Sequence, residues 1–352
     1  MKKYSIIGLM SGTSLDGLDI CLCDFSQVNE QWKFQIIAAE TTNYPDSLQK
    51  ELSQAHQLSG EKLILLHNKL GKFFGQSIIE FQSKHKTIAH YISSHGHTIF
   101  HQPEIGLTYQ IGNGAEIAAI TGIDTICDFR TKDLALGGHG APLVPIGDEL
   151  LFGEYKYCLN IGGIANVSVN HNNNRLAWDI CAANMLLNYY AQKMGFDFDK
   201  DGEISARGNV NNSLVESLIE IEYHKKTRPK SLGREYIFEN YVPLIESYKL
   251  NIPDTLSSLT EMIAHCIKND ISEFGAGTML ITGGGAFNKA LIEKIKKAHP
   301  QVIIPSKDIV SFKEALIFAF LGLLRIENKA NTLASVTGAK SDSVGACIYS
   351  GK

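Results

Sequence analysis

Short apolar runs alternate with amphipathic segments along the 352 residues of this chain. Residues 4–9, 18–25 and 35–39 each have the length and composition of a β-strand, and a segment rich in Gly, Ser and Thr separates the first two. Turn-forming residues between two apolar runs are typical of a hairpin. From about residue 61 to residue 84, apolar side chains recur at helical spacing, which predicts a long amphipathic helix with Ser59 as its N-cap.

The same order of features returns near the middle of the chain. Residues 157–161 form an apolar run, Gly162-Gly163 a tight turn, and residues 165–169 and 175–179 two further runs. Two such strand–turn–strand units predict two related α/β halves. The remaining pattern predicts strands at residues 91–94, 109–111, 125–129 and 278–282, and helices at residues 115–121, 211–222, 256–274, 288–298 and 313–325.

Composition excludes several classes of protein. The 33 basic and 37 acidic residues give a net charge of −4, whereas nucleic-acid-binding domains are usually strongly basic. The longest apolar run, residues 315–324, is about half of the ~20 residues that a membrane-spanning helix needs. The seven cysteines have irregular spacing and no C-x-x-C pair, which is typical of buried thiols in a reducing compartment. We therefore expect a cytoplasmic protein that binds neither nucleic acid nor membrane.

The segment from Ser11 to Gly17 is the first candidate for chemistry. Its glycines allow backbone N–H groups to converge on an anion, and the hydroxyls of Thr13 and Ser14 add donors. The nearby Asp16 and Asp19 suit a phosphate site if Mg²⁺ bridges carboxylate and phosphate. The alternative is a plain hairpin turn, but this segment is longer and richer in hydroxyls than a hairpin requires.

Two later glycine segments are weaker candidates. Gly162-Gly163 follows a predicted strand and is also compatible with an ordinary β-turn. Gly283-Gly284-Gly285 lies between a strand and a helix, where N–H groups and the helix dipole can face a nucleotide. Neither segment matches the dinucleotide fingerprint, and no P-loop motif occurs in the sequence.

Histidines and aspartates offer further, less specific candidates. His95, His97 and His101 cluster in a predicted polar turn, and a metal site there is the less favoured alternative to a substrate loop. Residues 197–202 copy the opening of an EF-hand loop, but Gly208 stands where that loop needs a glutamate. Asp179 and Asp128 each lie at the end of a predicted strand. Each could be a turn residue, a general base or a metal ligand, and sequence spacing alone does not distinguish these roles.

Taken together, these segments resemble the anhydro-N-acetylmuramic acid kinases over most of the chain. The motifs that carry the resemblance follow in family order at residues 8–19, 94–103, 128–130, 137–145, 160–166, 283–288 and 336–339. The resemblance implies two ribonuclease-H-like domains of the actin and hexokinase type that face a nucleotide cleft. It places the first domain at residues 1–130 plus about 326–352 and the second at residues 131–325.

The family resemblance also implies a reaction. Members hydrolyse the 1,6-anhydro ring of N-acetylmuramic acid and phosphorylate the freed O6, with ATP and Mg²⁺, during bacterial cell-wall recycling. The product is N-acetylmuramic acid 6-phosphate. We expect a small-molecule sugar as substrate and a homodimer as the assembly.

Residue roles follow from the matched positions. The resemblance implies that Asp179 is the catalytic base and that Asp16 contributes to catalysis and to Mg²⁺ binding through phosphate. It implies a sugar site that contains Arg130, Asp128, His97 and Glu314. The implied nucleotide-binding residues are Gly12, Thr13, Ser14, Leu15, Asp16, Gly17, Leu18, Asp19, Gly162, Gly163, Gly283, Gly284 and Gly285.

The sequence departs from the family after the expected base. Family members usually continue with Thr-Gly-Pro-Gly-Asn, whereas Asp179 is followed by Ile180-Cys181-Ala182-Ala183-Asn184. His97 and His139 also stand where the family usually has glutamine. These differences keep two alternatives open: a related kinase with another sugar substrate, and a regulator that binds nucleotide or sugar without catalysis.

Overall fold

The computed structural model describes residues 2–12, 15–172 and 174–352. Thr13 and Ser14 of the predicted phosphate loop therefore lie outside the described residues. Within the described part of the chain, no helix is both long enough and apolar enough to cross a membrane.

The elements alternate between strand and helix, as the sequence predicts. In chain order the strands are β1 Lys3–Ser11, β2 Leu18–Val28, β3 Gln31–Thr42, β4 Tyr91–Gln102, β5 Leu107–Ile111, β6 Thr125–Cys127, β7 Tyr157–Ile161, β8 Ile164–His171, β9 Asn174–Ala182, β10 Met279–Thr282, β11 Val302–Ile303 and β12 Cys347–Tyr349. The α-helices are α1 Asp46–Ser53, α2 Gly60–His85, α3 Gly114–Thr121, α4 Thr131–Ala135, α5 Val144–Leu151, α6 Asn184–Gln192, α7 Asn212–Ile219, α8 Glu222–Lys225, α9 Arg234–Ser247, α10 Ile252–Ile271, α11 Lys289–Ala298, α12 Lys307–Ile326 and α13 Ala334–Thr337.

The chain divides into two compact units. Unit 1 comprises Met1–Phe152 and Phe312–Lys352, and unit 2 comprises Gly153–Ser311. Relative to the domain borders predicted from the sequence, residues 131–152 and 312–325 group with unit 1.

Each unit is built on one mixed β-sheet with the same strand arrangement. In unit 1 the order is β12-β6-β4-β1-β2-β3, with β5 paired to β4; β1, β2 and β3 are antiparallel, and β4 and β6 follow β1 in parallel. In unit 2 the order is β11-β10-β7-β8-β9, with β7, β8 and β9 antiparallel and β10 and β11 parallel to β7. A three-stranded meander extended by two parallel strands is the ribonuclease-H-like arrangement, so the predicted α/β class with two such halves is confirmed.

Helix α2 covers one face of the unit 1 sheet. The sequence predicts this helix over residues 61–84, and the structure confirms it. Its buried residues include Leu66, Leu70, Phe74 and Ile78, which recur every three to four positions and pack with apolar side chains of β1 and β2.

Helix α12 packs on the same sheet through very close backbone contacts. A Cβ atom on Gly8 of β1 would lie 1.9 Å from the carbonyl oxygen of Ala315. A Cβ atom on Gly322 would lie 2.6 Å from Cβ of Ser93 in β4, and the Ser93 hydroxyl donates a hydrogen bond to the carbonyl oxygen of Phe318. Only glycine leaves room for this approach, so two glycines set the distance between helix and sheet.

The structure differs from the sequence prediction at the histidine segment. The prediction gave a short strand at residues 91–94 and a polar turn after it, but β4 continues to Gln102. Polar residues continue the strand because β5 pairs antiparallel with residues 97–102 and completes their backbone hydrogen bonds.

Candidate active site

The residues that the sequence analysis singled out fall into one group in unit 1 and another in unit 2. In unit 1, the turn between β1 and β2 contains Gly12, Leu15, Asp16 and Gly17. Leu15 donates its backbone N–H to the carbonyl oxygen of Gly12 at 3.2 Å and has a positive φ of 62°. Gly17 has a φ of 150°, and a Cβ atom there would lie 2.7 Å from the carbonyl oxygen of Thr42, so only glycine fits. The Asp16 side chain is exposed at this turn.

Ser11, at the end of β1, belongs to a buried chain of hydrogen bonds. The Tyr44 hydroxyl donates to Oγ of Ser11 at 2.6 Å, and Oγ of Ser11 lies 2.8 Å from Nδ1 of His97. Burial lowers the pKa of His97 to about 4 and raises the pKa of Tyr44 to about 12, so both side chains are neutral near pH 7. His97 thus contacts Ser11, the residue that precedes the glycine turn. The sequence pattern did not predict the hydrogen bond from Tyr44 to Ser11.

Two carboxyl groups of unit 1 have raised pKa values. Asp19 on β2 accepts a hydrogen bond from Oγ1 of Thr41 at 2.6 Å, and burial raises its pKa. Burial raises the pKa of Glu314 on α12, the charge of Asp19 adds to this effect, and the cations Lys313 and Arg130 oppose it. Asp19, Glu314 and Arg130 therefore interact within one electrostatic group.

Arg130 is held by a histidine and a carbonyl group. Its Nε and Nη2 atoms lie 3.1 and 2.8 Å from Nε2 of His95, and its Nη1 donates to the carbonyl oxygen of Gly140 at 2.6 Å. His95 directs Nδ1 at the carbonyl oxygen of Gly96 at 2.9 Å. This arrangement fixes a neutral imidazole whose Nε2 accepts from the guanidinium, and burial together with the Arg130 charge holds the pKa of His95 well below its usual range.

Asp128 lies beside Arg130 at the end of β6 in a left-handed conformation, with a φ of 60°. Its Oδ1 accepts hydrogen bonds from the backbone N–H and the hydroxyl of Thr131. The carboxylate therefore stabilises the first turn of α4, which is the turn-residue alternative considered for this position.

The metal alternatives find no support in the described residues. Within residues 2–12, 15–172 and 174–352, no three His, Cys, Asp or Glu side chains are grouped so as to hold an ion. His101 pairs with the hydroxyl of Thr108 at 3.2 Å, and the other two histidines of β4 have the partners given above. Asp199, in the segment that copies an EF-hand, instead accepts the backbone N–H groups of Ile204 and Ser205.

In unit 2, Asp179 lies inside β9 and not at its end. The prediction that Asp179 closes a strand is wrong because β9 continues to Ala182. Asp179 is opposite Asn166 of β8, and its side chain is half-buried. Burial raises the pKa of its carboxyl group to about 6, and the hydrogen bond from Leu232 lowers it in part.

A distant segment, residues 223–232, holds Asp179 in place. The backbone N–H of Leu232 donates to Oδ2 of Asp179 at 2.9 Å, and the N–H of Asp179 donates to the carbonyl oxygen of Lys230 at 3.0 Å. The Tyr223 hydroxyl donates to the carbonyl oxygen of Asp179 at 2.8 Å. No local pattern in the sequence relates these three residues to Asp179, so their contacts with it were not predicted.

Two further residues anchor that segment from behind. The Lys230 ammonium group pairs with Asp270 at 3.2 Å, and the Lys230 side chain is only 3% exposed. The indole N–H of Trp178, the neighbour of Asp179 on β9, donates to Oδ2 of Asp270 at 2.8 Å. The ion pair therefore ties residue 230 back to the strand that carries the carboxylate.

The unusual residues after Asp179 continue the strand into the core. Ile180, Cys181, Ala182 and Ala183 are all fully buried. Asn184 then donates its backbone N–H to Gly162 and its side-chain amide to the carbonyl oxygen of Ile161 at 3.0 Å. The replacement of two glycines and a proline is therefore accommodated by strand pairing and burial, and Asn184 still meets the Gly162-Gly163 turn.

The glycines after β10 meet the end of β7. Gly283 has a φ of 80°, and a Cβ atom there would lie 2.4 Å from Oδ1 of Asn160. A Cβ atom on Gly285 would lie 2.2 Å from Cγ2 of Ile161, whereas one on Gly284 would have only the Asn184 amide nearby, at 3.5 Å. The glycine segment and the Gly162-Gly163 turn, both predicted to bind nucleotide, are thus brought together in unit 2.

Comparison with known proteins places the chain in one family. The family model for anhydro-N-acetylmuramic acid kinase matches residues 4–351. A curated relative from Shewanella denitrificans with that name is 36% identical over 100% of both chains. Another with the same name, from Caldanaerobacter subterraneus, is 34% identical over 96% of this chain and 95% of its own.

One solved structure, component A of the (R)-2-hydroxyglutaryl-CoA dehydratase of Acidaminococcus fermentans, aligns over 90% of this chain and 96% of its own, at 13% identity and a TM-score of 0.46. The full-length match to the family model and the level of identity to the curated relatives lead to one conclusion: this chain belongs to the anhydro-N-acetylmuramic acid kinase family.

Proposed function

We propose that this protein is an ATP-dependent kinase that opens 1,6-anhydro-N-acetylmuramic acid by hydrolysis and phosphorylates the freed O6. The product is N-acetylmuramic acid 6-phosphate, and the role is the recycling of cell-wall fragments in the cytoplasm. Family membership supports the reaction, and the free cysteine thiols suit a reducing compartment.

The observation that carries the proposal is the environment of Asp179. A general base must be mostly ionised at the working pH and still basic enough to take a proton. With a pKa of about 6, Asp179 meets both conditions near pH 7. The Leu232 N–H fixes the orientation of the carboxylate, which a base needs if it is to stay within hydrogen-bond reach of a water molecule.

Asp179 accepts a proton from water as the water oxygen bonds to the anomeric carbon of the sugar. The bond between that carbon and O6 breaks, so the ring opens and O6 carries the electron pair. O6 then attacks the γ-phosphorus of ATP, and ADP leaves. The proton held on Asp179 is released to solvent, which completes the balance of water, sugar and ATP against the phosphorylated sugar, ADP and one proton.

The proposed sugar site consists of four residues of unit 1: Arg130, Asp128, His97 and Glu314. Arg130 is held rigidly by His95 and Gly140, so it presents its charge with little loss of side-chain entropy on binding. The raised pKa of Glu314 suits a carboxyl group that makes hydrogen bonds to sugar hydroxyls. The Asp128 carboxylate already accepts hydrogen bonds from the backbone N–H and the hydroxyl of Thr131, so its contribution is to shape the turn around Arg130.

The glycine segments are the proposed binding site for the nucleotide. The atoms nearest to a Cβ position on Gly162, Gly163 and Gly284 lie 3.4–3.6 Å away, which is ordinary van der Waals contact, so protein atoms do not crowd these backbones. Bare backbone of this kind permits close approach of a ligand. Residues 12–19 would bind the phosphates through backbone N–H groups, as their glycine-rich composition predicts.

Asp16 and Asp19 are the residues that would hold Mg²⁺ beside the phosphates. Their carboxylate oxygens are the ligand type that Mg²⁺ prefers, and Asp16 is exposed at the turn. When bound, the ion neutralises charge on the transferred phosphoryl group. We also propose a homodimer, which light scattering of the purified protein tests.

A mass-spectrometric assay in ¹⁸O-water tests the reaction. Purified protein is incubated with ATP, Mg²⁺ and 1,6-anhydro-N-acetylmuramic acid, and the expected product is a sugar monophosphate with one ¹⁸O at the anomeric carbon. A phosphorylated product that still contains the anhydro ring contradicts the hydrolytic step. Nucleotide binding with no product contradicts the assigned substrate and favours another sugar or a regulatory role.

A further inference from the structure

One pair of cysteines lies outside the proposed active-site chemistry and within reach of solvent. Cys347 on β12 is exposed and Cys127 on β6 is partly exposed, whereas the other five cysteines are buried. Strands β6 and β12 pair antiparallel, and Cys347 is directly opposite Cys127 in the register. All seven cysteines are free thiols in the structure.

The register places the Cα atoms of Cys127 and Cys347 within the range that a disulfide spans. Residues directly opposite in an antiparallel pair have Cα atoms about 4.5 to 5.5 Å apart. Disulfides span Cα distances of about 4.4 to 6.8 Å. Strand β12 has three residues, all exposed, and lies at the edge of the sheet, so the small adjustment that a disulfide needs meets little resistance.

Contacts on both sides of β12 keep this register. Before the strand, Nε of Arg325 donates to the carbonyl oxygen of Ala346 at 2.9 Å. After it, the N–H of Gly351 donates to Oδ1 of Asp124, just before β6, at 2.9 Å. Sliding β12 along β6 would break both hydrogen bonds, so the two thiols remain opposite each other.

We propose that Cys127 and Cys347 form an oxidant-responsive thiol pair, which a peroxide converts into an intramolecular disulfide that joins β12 to β6. The inference stands apart from the proposed function, since it rests on strand register and exposure. It concerns a modification site in a chain whose other cysteines are shielded.

The chemistry proceeds in two balanced steps. The Cys347 thiolate attacks hydrogen peroxide, so a sulfur–oxygen bond forms, the oxygen–oxygen bond breaks, and hydroxide leaves and takes up a proton as water. Cys127 then attacks the sulfenic sulfur, a sulfur–sulfur bond forms, and the hydroxyl leaves with the Cys127 proton as a second water. The two thiols together lose two electrons, and one hydrogen peroxide molecule gains them and becomes two water molecules.

The order of the steps follows from the surroundings of each thiol. Cys347 is the one that a peroxide reaches from solvent. Burial raises the pKa of Cys127 to about 12, and the charges of Cys347 and Asp128 add to this effect.

A second cysteine pair provides an internal control. Cys21 and Cys23 lie two positions apart on β2 with their sulfur atoms 3.4 Å apart, and both are fully buried. If proximity alone decided oxidation, this pair would react first. Since peroxide must reach a thiol, we expect Cys21 and Cys23 to stay reduced in the folded protein.

The experiment uses the full chain at pH 7.5 with a small excess of hydrogen peroxide. The remaining thiols are alkylated under denaturing conditions, and the protein is digested without reduction and analysed by mass spectrometry. We expect five of the seven thiols to be alkylated, one peptide linking Cys127 to Cys347, and a rise in Tm of several degrees that dithiothreitol reverses.

The variants Cys347→Ser and Cys127→Ser should each abolish the linked peptide and the rise in Tm. The first changes an exposed position, so the fold is retained in at least one variant. The proposal is overturned if the wild-type protein yields no linked peptide, if the link joins two chains, or if Cys21 and Cys23 are linked instead.

Discussion

The backbone N–H of Leu232 donates a hydrogen bond to Oδ2 of Asp179 at 2.9 Å, across 53 positions of the chain. The donor is a main-chain group, so its position depends on the path of residues 223–232 and not on the side chain at 232. Lys230 and Tyr223 hold that path against the same strand. The orientation of the proposed base is therefore a property of tertiary structure.

Replacing Asp179 by asparagine tests the base directly. Asn keeps the shape and still accepts the Leu232 N–H, but it cannot take a proton. We expect turnover to fall by about 10²- to 10⁴-fold, with nucleotide affinity unchanged, in a coupled ADP-release assay and a binding titration. The exposed Asp197→Asn is the matched control and should retain full activity. Near-normal turnover of the Asp179 variant would remove the residue from the mechanism.

The pH dependence of Asp179 affects activity and stability in opposite directions. Activity requires the ionised base, so kcat/KM should fall as pH decreases through about 6. The folded pKa lies above the ordinary aspartate pKa of 3.8, so the native state holds a proton that the unfolded state releases between about pH 4 and 6. The free energy of unfolding therefore decreases with rising pH across that window, by up to about 3 kcal/mol. Thermal melts of Asp179→Asn should lack this contribution, and identical pH slopes in both proteins would contradict the raised pKa.

Tyr223→Phe should alter the position of the Asp179 carboxylate, although the Tyr223 hydroxyl contacts only the backbone carbonyl group of Asp179. The change removes the hydroxyl that donates to the carbonyl oxygen of Asp179, and an unpaired buried carbonyl costs about 1–3 kcal/mol of stability. We also expect the acid limb of the kcat/KM profile to shift, because the strand that carries the carboxylate loses a support. Tyr236→Phe, a nearby half-buried tyrosine, serves as the control. A loss of stability with an unchanged pH profile would make Tyr223 structural only.

His97→Gln should reduce acid sensitivity. The folded pKa of His97 is about 4, whereas the ordinary histidine pKa is 6.5, so between these two pH values the unfolded state binds a proton and the native state does not. This contribution to stability is present above about pH 6.5 and is lost as pH falls toward 4. Glutamine keeps a polar partner for Ser11 and does not titrate, so its Tm relative to wild type should rise on acidification. Parallel Tm curves would show that folding leaves the pKa of His97 unchanged.

Two neighbouring glycines should respond differently to alanine. Gly283→Ala forces a Cβ atom to 2.4 Å from Oδ1 of Asn160 at a φ of 80°, and we expect a loss of about 2 kcal/mol or more. Gly284→Ala meets only the Asn184 amide at 3.5 Å, so its stability should stay within about 0.5 kcal/mol of wild type. Urea denaturation compares the two variants, and equal losses would contradict the close contact with β7. A raised KM for ATP in Gly284→Ala alone would place the nucleotide over that backbone.

Local patterns predicted the elements whose causes are local. Helix α2 and the strand–turn–strand units follow from side-chain periodicity and turn residues, and both are present. The glycine segments after β7 and β10 were marked by composition, and Gly283 shows why: its backbone angle and its contact with Asn160 exclude other residues.

The features that sequence reasoning missed depend on contacts between distant segments. The polar stretch from His95 to His101 is a strand because β5 pairs with it, and nothing in its own pattern indicates that partner. Asp179 lies inside β9 because the apolar residues after it find space in the core. The hydrogen bond from the backbone N–H of Leu232 to Asp179 could not be predicted for the same reason, since every residue except proline has a backbone N–H.

The contact between Gly8 and Ala315 limits which substitutions this chain can accept. Glu314 directly precedes the point where α12 touches β1, so its height above the sheet is set by main-chain atoms on both sides. Apolar side chains elsewhere on the helix can therefore change in size while this carboxyl group stays in register with Asp19 and Arg130. A substitution at Gly8 would displace the Glu314 carboxyl group although residue 8 is not itself part of the proposed sugar site, so we expect its effect to resemble a defect in sugar binding.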